Sequence, residues 1–117
     1  MGNFQKLRVW QLAKDLAVKI YKMTKSSAIS KDFGFKDQIQ RSAVSIPSNI
    51  SEGDELDSNK QSVRFFYIAK GSTAELLTQI IIGSEIGYIN KIDADQLIND
   101  CKIISVILTK LIHARST

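Results

Sequence analysis

The sequence has very few of the residues on which disulfides and metal sites depend. One cysteine and one histidine stand among its 117 residues, which excludes an intrachain disulfide and leaves zinc coordination unsupported. The paired Glu-x-x-His motifs of a di-iron bundle are absent as well. We therefore expect a protein without a metal or cofactor, in a reducing compartment.

Long apolar runs and catalytic combinations are also missing. No stretch approaches the roughly 18 uninterrupted apolar residues of a membrane span, and the first residues lack a signal-peptide pattern. No histidine lies near the serines of residues 38–53 to activate one of them, because the only histidine, His113, stands at the end of the last predicted helix. No glycine-rich phosphate loop is present either. These absences predict a cytoplasmic protein that has no contact with membranes and is not an enzyme.

What the sequence does have is apolar residues at helical spacing, whereas strand-type alternation is absent over any useful length. The last segment shows this best, because its apolar residues step by 4, 3, 4 and 3 through Leu97, Cys101, Ile104, Leu108 and Leu111. We predict four helices, at about residues 7–27, 35–52, 58–87 and 93–113. The connections between them are short, so residues 1–117 are predicted to form one all-α domain, an up-down-up-down antiparallel four-helix bundle.

Residues with known capping preferences stand at the predicted helix ends. Gly53 is expected to end the second helix in the left-handed conformation, and Ser58 is expected to cap the third. Asp93 and Gln96 resemble a capping box at the start of the fourth helix.

The only proline, Pro47, falls inside the second predicted helix, because Ile46 and Ile50 keep the apolar stripe in phase across it. A proline in a helix interior removes one backbone hydrogen bond and costs roughly 3 kcal/mol. The fold must therefore compensate. The nearby polar residues that we expect to supply donors and acceptors are Ser45, Asn49 and Glu52.

A hairpin of the second and third helices, centred near residue 56, places Arg41 level with Gly71 and Ser72 and places Gln38 level with Glu75. We predict an Arg41–Glu75 ion pair or a Gln38–Glu75 hydrogen bond across this seam. We also expect a close approach of the two helices at Gly71, because glycine lowers helix propensity and needs a structural reason there.

Positive charge is concentrated near the N-terminus of a chain whose net charge is +4. Lys14, Lys22 and Lys25 fall roughly on one face of the first helix, with Lys19 on its flank. Such a face suits a phosphate-rich partner, and it is equally typical of a solvated helix surface. Few aromatic residues stand among these lysines, so base stacking is not indicated.

The third and fourth helices carry more apolar residues than one core-facing stripe needs. The consecutive apolar runs at 65–69, 80–82 and 106–108 point around the helix, which predicts a second apolar face on each. Exposed faces of this kind usually mark a protein interface, so we predict a homo-oligomer. The alternative is a wide core within one chain.

Three segments carry a resemblance to a known family. They are Arg-Val-Trp-Gln-Leu-Ala at 8–13, the stretch 38–53 with its Ser-Ile-Pro-Ser-Asn-Ile-Ser-Glu-Gly core, and Ile-Ala-Lys-Gly-Ser-Thr-Ala-Glu-Leu at 68–76. In this order they resemble the bacterial four-helix-bundle proteins of the 23S rRNA intervening-sequence family. The resemblance covers nearly the whole chain, and it implies more about fold than about function.

The accessory variability determinant protein of diversity-generating retroelements is similar. It is a four-helix bundle that forms a pentameric ring and binds nucleic acid and a reverse transcriptase. The analogy implies a homopentamer whose partners are RNA or DNA and, by analogy alone, a reverse transcriptase.

Two functional hypotheses follow. The first is a homo-oligomeric, non-enzymatic accessory factor that binds RNA or DNA through Lys14, Lys19, Lys22 and Lys25. The second is a scaffold or protein-interaction module with no nucleic-acid role, whose contacts are made by the apolar faces or by the acidic turn at residues 52–57.

Overall fold

The computed structural model describes residues 3–56 and 58–116. A short 3-10 turn precedes five α-helices, which are α1 (Arg8–Met23), α2 (Ser27–Lys31), α3 (Phe33–Glu55), α4 (Asn59–Glu85) and α5 (Lys91–Arg115). These ranges contain no strand, and the four long helices confirm the predicted all-α four-helix bundle. None of the helices in these two ranges is long and apolar enough to cross a membrane.

Side-chain contacts show how α3 and α4 are oriented. The Ser62 hydroxyl donates a 2.6 Å hydrogen bond to the carbonyl oxygen of Gly53, close to the turn between the two helices. Farther from the turn, the hydroxyl oxygens of Ser45 and Ser72 lie 2.8 Å apart. The later residue of α3, Gly53, is thus paired with the earlier residue of α4, Ser62. The two helices are therefore antiparallel.

The other helices follow the same alternation. Asp54 at the end of α3 binds Arg115 at the end of α5, so these two helices run in the same direction. Asp15 and Asp100 line one cavity between α1 and α5, and Met23 and Asp93 line the next one. Helix α1 is therefore antiparallel to α5, and the four long helices alternate in direction around one core.

The core consists of one apolar stripe from each long helix, as the spacing predicted. In α3 the stripe continues through Pro47 without a change of phase, because Ile46 and Ile50 are both fully buried. In α5 the buried stripe differs from the predicted one at its last residue, because Ile112 is buried and Leu111 is only half-buried. The buried residues of α5 are Ala94, Leu97, Cys101, Ile104, Leu108 and Ile112.

Side-chain caps begin α2, α3, α4 and α5, in one case at a different residue from the one predicted. The Ser58 hydroxyl accepts a hydrogen bond from the backbone N–H of Gln61 at 3.4 Å, as predicted. Helix α5, however, is capped by Asn90, whose Oδ1 accepts from the N–H of Asp93 at 2.8 Å and whose amide donates to the Asp93 carboxylate at 3.0 Å. The predicted box of Asp93 and Gln96 is therefore wrong, and the helix starts earlier than expected.

The prediction that Gly53 ends the second helix in the left-handed conformation is also wrong. Helix α3 continues to Glu55, and in the described part of the chain only Gly87, just after α4, has a positive φ, of 84°. A Cβ atom on Gly53 would lie 2.8 Å from Cε1 of Phe66 and 3.0 Å from the carbonyl oxygen of Ser62. Gly53 is thus required because α4 lies too close to α3 at this position for a Cβ atom.

Gly71 does not lie at a close approach of two helices, so this prediction is wrong. It is exposed, and a Cβ atom added to it would meet nothing within 4 Å. The tight contacts lie instead at Gly53 and at Gly83, where a Cβ would come within 2.9 Å of Cζ of Phe35. The close approach at Gly71 was inferred from helix propensity, which does not reveal where the two helix surfaces meet.

Candidate nucleic-acid interface

Two regions contain the residues that the sequence singled out, namely a polar seam between α3 and α4 and a groove between α1 and α3. At the seam, the Asn49 amide donates to the Ser45 carbonyl oxygen at 2.8 Å and to the Ser45 hydroxyl at 3.0 Å, beside Pro47. The Ser45 hydroxyl also contacts that of Ser72 across the helix pair. Glu52 is exposed and has no side-chain hydrogen bond to the described residues. The structure thus unites three of the predicted seam residues and leaves out Glu52.

The predicted contacts of Glu75 are not formed. Within the described ranges, no ion pair or hydrogen bond joins Glu75 to Arg41 or Gln38, and all three side chains are exposed. Helix α3 extends farther than predicted, which moves the centre of the hairpin along the chain. The Ser42 hydroxyl accordingly donates to Oε1 of Gln79, at 2.5 Å. Ser42, which lies one residue after Arg41, is therefore opposite Gln79 and not opposite Glu75.

The seam holds the two helices in register and has no arrangement suited to catalysis. Its serine hydroxyls bond to an amide, to a backbone carbonyl and to one another, so none of them is paired with a base. Nowhere in the described ranges do three His, Cys, Asp or Glu side chains come close enough to hold a metal ion.

Cys101 is equally unsuited to reaction. It is buried in the core, and burial, with a smaller contribution from the neighbouring charge of Asp100, raises the pKa of its thiol to about 12. Since the thiolate is the nucleophilic form of cysteine, a buried thiol of this kind is inert.

One residue of the acidic turn at residues 52–57 forms an ion pair within the chain. Asp54 is buried, and its Oδ1 lies 2.9 Å from Nη2 of Arg115, whose guanidinium also stands over the Phe66 ring at 5.4 Å. Glu55 remains exposed, and Asp57 lies outside the described residues. Asp54 therefore joins α3 to α5 and is not available as a surface charge for a partner.

Three of the four predicted lysines border one groove between α1 and α3. Lys14 and Lys22 come from α1, and Lys36 adds an ammonium group from α3. Lys25 lies in the turn after α1, because this helix ends at Met23 and not near residue 27 as predicted. The groove has a volume of about 560 Å³, and no carboxylate is among the residues that line it. We call it the lysine groove.

The floor of the lysine groove is apolar. Val18 and Tyr21 of α1 are 45% and 44% exposed, and Val44 of α3 is 39% exposed, although large apolar side chains are usually covered. Among the polar residues of the groove, the Gln40 amide donates to the hydroxyl of buried Thr24 at 2.9 Å and so joins α3 to the end of α1. The other lining residues of the floor are Ala17 and Pro47.

Lys19 does not belong to this groove. Its ammonium group binds Oδ2 of Asp100 at 3.0 Å and so connects α1 to α5 on another side of the bundle. Lys14 has an ion pair as well, with Asp15 at 2.7 Å, but both side chains are about half exposed. An exposed pair of this kind stabilises by only about 0–1 kcal/mol, so Lys14 remains available to a phosphate.

The sequence interpretation missed Lys36 and Tyr21. Lys36 lies on a different helix from the other lysines, and spacing along one helix cannot reveal a neighbour on the next. Tyr21 did have a signal, because it stands seven residues after Lys14 and directly before Lys22, on the same face of α1. The expectation of few aromatic groups near the lysines therefore overlooked the one aromatic ring that lines the groove.

The comparisons with known proteins agree with this fold. The family model described as 23S rRNA-intervening sequence protein matches residues 5–110. The chain is also similar to the crystal structure of a protein of unknown function from the S23 ribosomal protein family of Bacteroides thetaiotaomicron, with a TM-score of 0.82 and 26% sequence identity, over 89% of this chain and 97% of that one. No curated protein has a matching sequence. The chain therefore belongs to the 23S rRNA-intervening sequence protein family.

Proposed function

We propose that this protein is a non-enzymatic accessory factor that assembles as a homo-oligomer and binds RNA or DNA through the lysine groove. The observation that carries the proposal is the convergence of four lysines, from α1, the turn after it and α3, on one concave surface that no carboxylate lines. Phosphate contacts supply most of the affinity of sequence-independent nucleic-acid binding, and they need mobile, exposed cations.

Assembly multiplies this charge. A net charge of +4 per chain is modest, but a ring of identical subunits presents one lysine groove per subunit. A nucleic acid that reaches two or more grooves binds the second at high effective concentration, which raises the overall affinity without new contacts. By analogy with the pentameric ring of the retroelement accessory protein, we propose a homopentamer.

The outer faces of α4 and α5 support self-association. Large apolar side chains that are 41–58% exposed stand on both helices, and the cavity between them is bordered by Leu77 and Val106. Exposed apolar surface on this scale usually marks a protein interface. The exposed residues concerned are Tyr67, Ile68, Ile81, Ile82, Ile103 and Val106.

A gel-shift experiment with a matched pair of variants tests nucleic-acid binding. The first variant is Lys14→Glu/Lys22→Glu/Lys25→Glu, which reverses three charges of the lysine groove. The control, Lys6→Glu/Lys60→Glu/Lys91→Glu, changes the net charge equally at exposed sites that do not line the groove. Lys60 and Lys91 lie in the first turns of α4 and α5, where an acidic side chain is compatible with the helix dipole.

At about 50 mM salt we expect the wild type and the control to retard RNA and the groove variant to retard it far more weakly, because phosphate binding is strongest at low ionic strength. Equal retardation of RNA by both variants would show that the lysine groove is not the binding surface. Failure of the wild type to bind RNA or DNA at this salt concentration would overturn the proposal and leave the scaffold hypothesis in its place.

A further inference from the structure

We infer that the lysine groove takes single-stranded or looped nucleic acid, with an unpaired base against Tyr21 and the flanking phosphates on the surrounding lysines. This inference rests on the proposed function and specifies its substrate class. It depends on the apolar floor of the groove, which phosphate binding alone does not require.

The first step concerns the chemistry of the floor. Val18, Tyr21 and Val44 are large apolar side chains around one concavity, and each of them remains more than one-third exposed. A ligand that carried only negative charge would leave these side chains in water. A ligand with both anionic groups and a flat apolar face matches the rim and the floor together.

The second step concerns which nucleic acid has that character. In a duplex the base faces are stacked on one another, so a protein surface meets phosphates and base edges. In a single strand or a loop the base faces are free to stack on aromatic side chains, and this gives binding with little sequence preference. The ring of Tyr21 is the aromatic group that the groove offers.

The third step concerns the polar groups beside Tyr21. The Thr24 hydroxyl donates to the Tyr21 carbonyl oxygen at 2.7 Å and accepts from the Gln40 amide, so it links the backbone of Tyr21 to α3. Oε1 of Gln40 accepts no hydrogen bond from the described residues, so it is available to an amino group on a base edge. The groove thus combines a stacking surface, a hydrogen-bond acceptor and four cations.

Fluorescence anisotropy with two probes tests the inference. The first probe is a labelled single strand of mixed sequence, about 16 nucleotides long, and the second is the same strand annealed to its complement. Tyr21→Leu removes the ring and keeps an apolar side chain, whereas Tyr21→Phe keeps the ring. The matched control is Phe33→Leu, which removes an aromatic ring that is 77% exposed at the start of α3 and does not line the groove.

We expect the wild type to bind the single strand about tenfold more tightly than the duplex, and Tyr21→Leu to lose about tenfold on the single strand, as expected for one stacked base. Tyr21→Phe and Phe33→Leu should match the wild type on both probes. Equal affinity of Tyr21→Leu and the wild type for the single strand would overturn the inference.

Two further outcomes separate this inference from the proposed function. If the duplex binds as tightly as the single strand and only the lysine variant fails, the inference is wrong and the proposed function stands. If neither probe binds, and a labelled peptide of alternating Asp and Leu residues binds in a Tyr21-dependent manner, the groove is a protein-docking site and both proposals fall.

Discussion

The Tyr88 phenol donates a 2.8 Å hydrogen bond to Oδ2 of Asp32, a residue 56 positions earlier in the chain. Oδ1 of the same carboxylate accepts from the backbone N–H of Phe35 at 3.1 Å and so caps α3. The rings of Phe35 and Tyr88 also meet edge to face, with centroids 5.2 Å apart. One carboxylate therefore starts α3 and fastens it to the turn between α4 and α5.

This contact predicts a dependence of stability on pH. The N–H of Phe35 and, to a smaller extent, the phenol of Tyr88 lower the pKa of Asp32 below its ordinary value of 3.8. The stabilisation is therefore present above that value and is lost as the pH falls through the lowered pKa of the folded state. The hydrogen bond to Asp32, with burial, raises the pKa of Tyr88 above 10.0, so its contribution is lost as the pH rises through the raised pKa.

Tyr88→Phe tests the acid side of this prediction. The variant should move the pKa of Asp32 towards its ordinary value, though not all the way, because the hydrogen bond from Phe35 remains. Its free energy of unfolding in urea should fall at pH 7 and converge with that of the wild type under acidic conditions. Tyr21→Phe, at an exposed side chain of α1, is the control. A pKa of Asp32 that NMR titration finds equal in wild type and Tyr88→Phe would contradict the account.

Gly53 and Gly34 provide a matched pair for the packing of α3. Gly53→Ala should destabilise the bundle by about 1–3 kcal/mol, because the added methyl meets the Phe66 ring and the Ser62 carbonyl. Gly34→Ala should stabilise it by up to about 0.5–1 kcal/mol, since its Cβ has an ordinary contact at 3.8 Å and the helix gains propensity. Urea unfolding at a fixed protomer concentration measures both, and equal values would mean that the approach at Gly53 is not tight.

Cys101 should be unreactive in the native protein. Iodoacetamide at neutral pH should alkylate it only when urea unfolds the bundle, because the thiol is buried and its pKa lies near 12. Mass spectrometry reads the modification without ambiguity, since the chain has one cysteine. Rapid alkylation of folded protein would show that the core opens around α5 far more often than its packing implies.

The proposed self-association predicts a particle much larger than one chain. Size-exclusion chromatography with light scattering should give a multiple of 13.1 kDa, with five subunits expected. Ile81→Lys/Val106→Lys places charge on the outer faces of α4 and α5 and should release smaller species. Phe33→Lys, at a side chain that is 77% exposed at the start of α3, should leave the mass unchanged. A wild-type monomer would contradict the interface.

The sequence predicted the fold well because the helical stripes are local signals. Ile39, Ala43, Ile46 and Ile50 repeat at helical spacing, and all four are fully buried. The stripe is continuous across Pro47, and this continuity was sufficient to place the proline inside a helix.

The errors arose where two helices meet. The predicted role of Gly71 belongs to Gly53 and Gly83, and only the register between helices decides which glycine faces a neighbour. That register moved because α3 ends later than predicted, which also separated Glu75 from its expected partners. Lys36 was missed for the same reason, since the other lysines of the lysine groove lie on α1 and in the turn after it.

The salt dependence of binding tests the central claim most directly. The measurement is the slope of the logarithm of the association constant for a single-stranded probe against the logarithm of salt concentration, in the wild type and in Lys14→Glu/Lys22→Glu/Lys25→Glu. Each phosphate contact on a single strand contributes about 0.7 to this slope, so the loss of three contacts should lower it by about 2. The control Lys6→Glu/Lys60→Glu/Lys91→Glu should keep the wild-type slope. Equal slopes in the wild type and the groove variant would contradict nucleic-acid binding through the lysine groove.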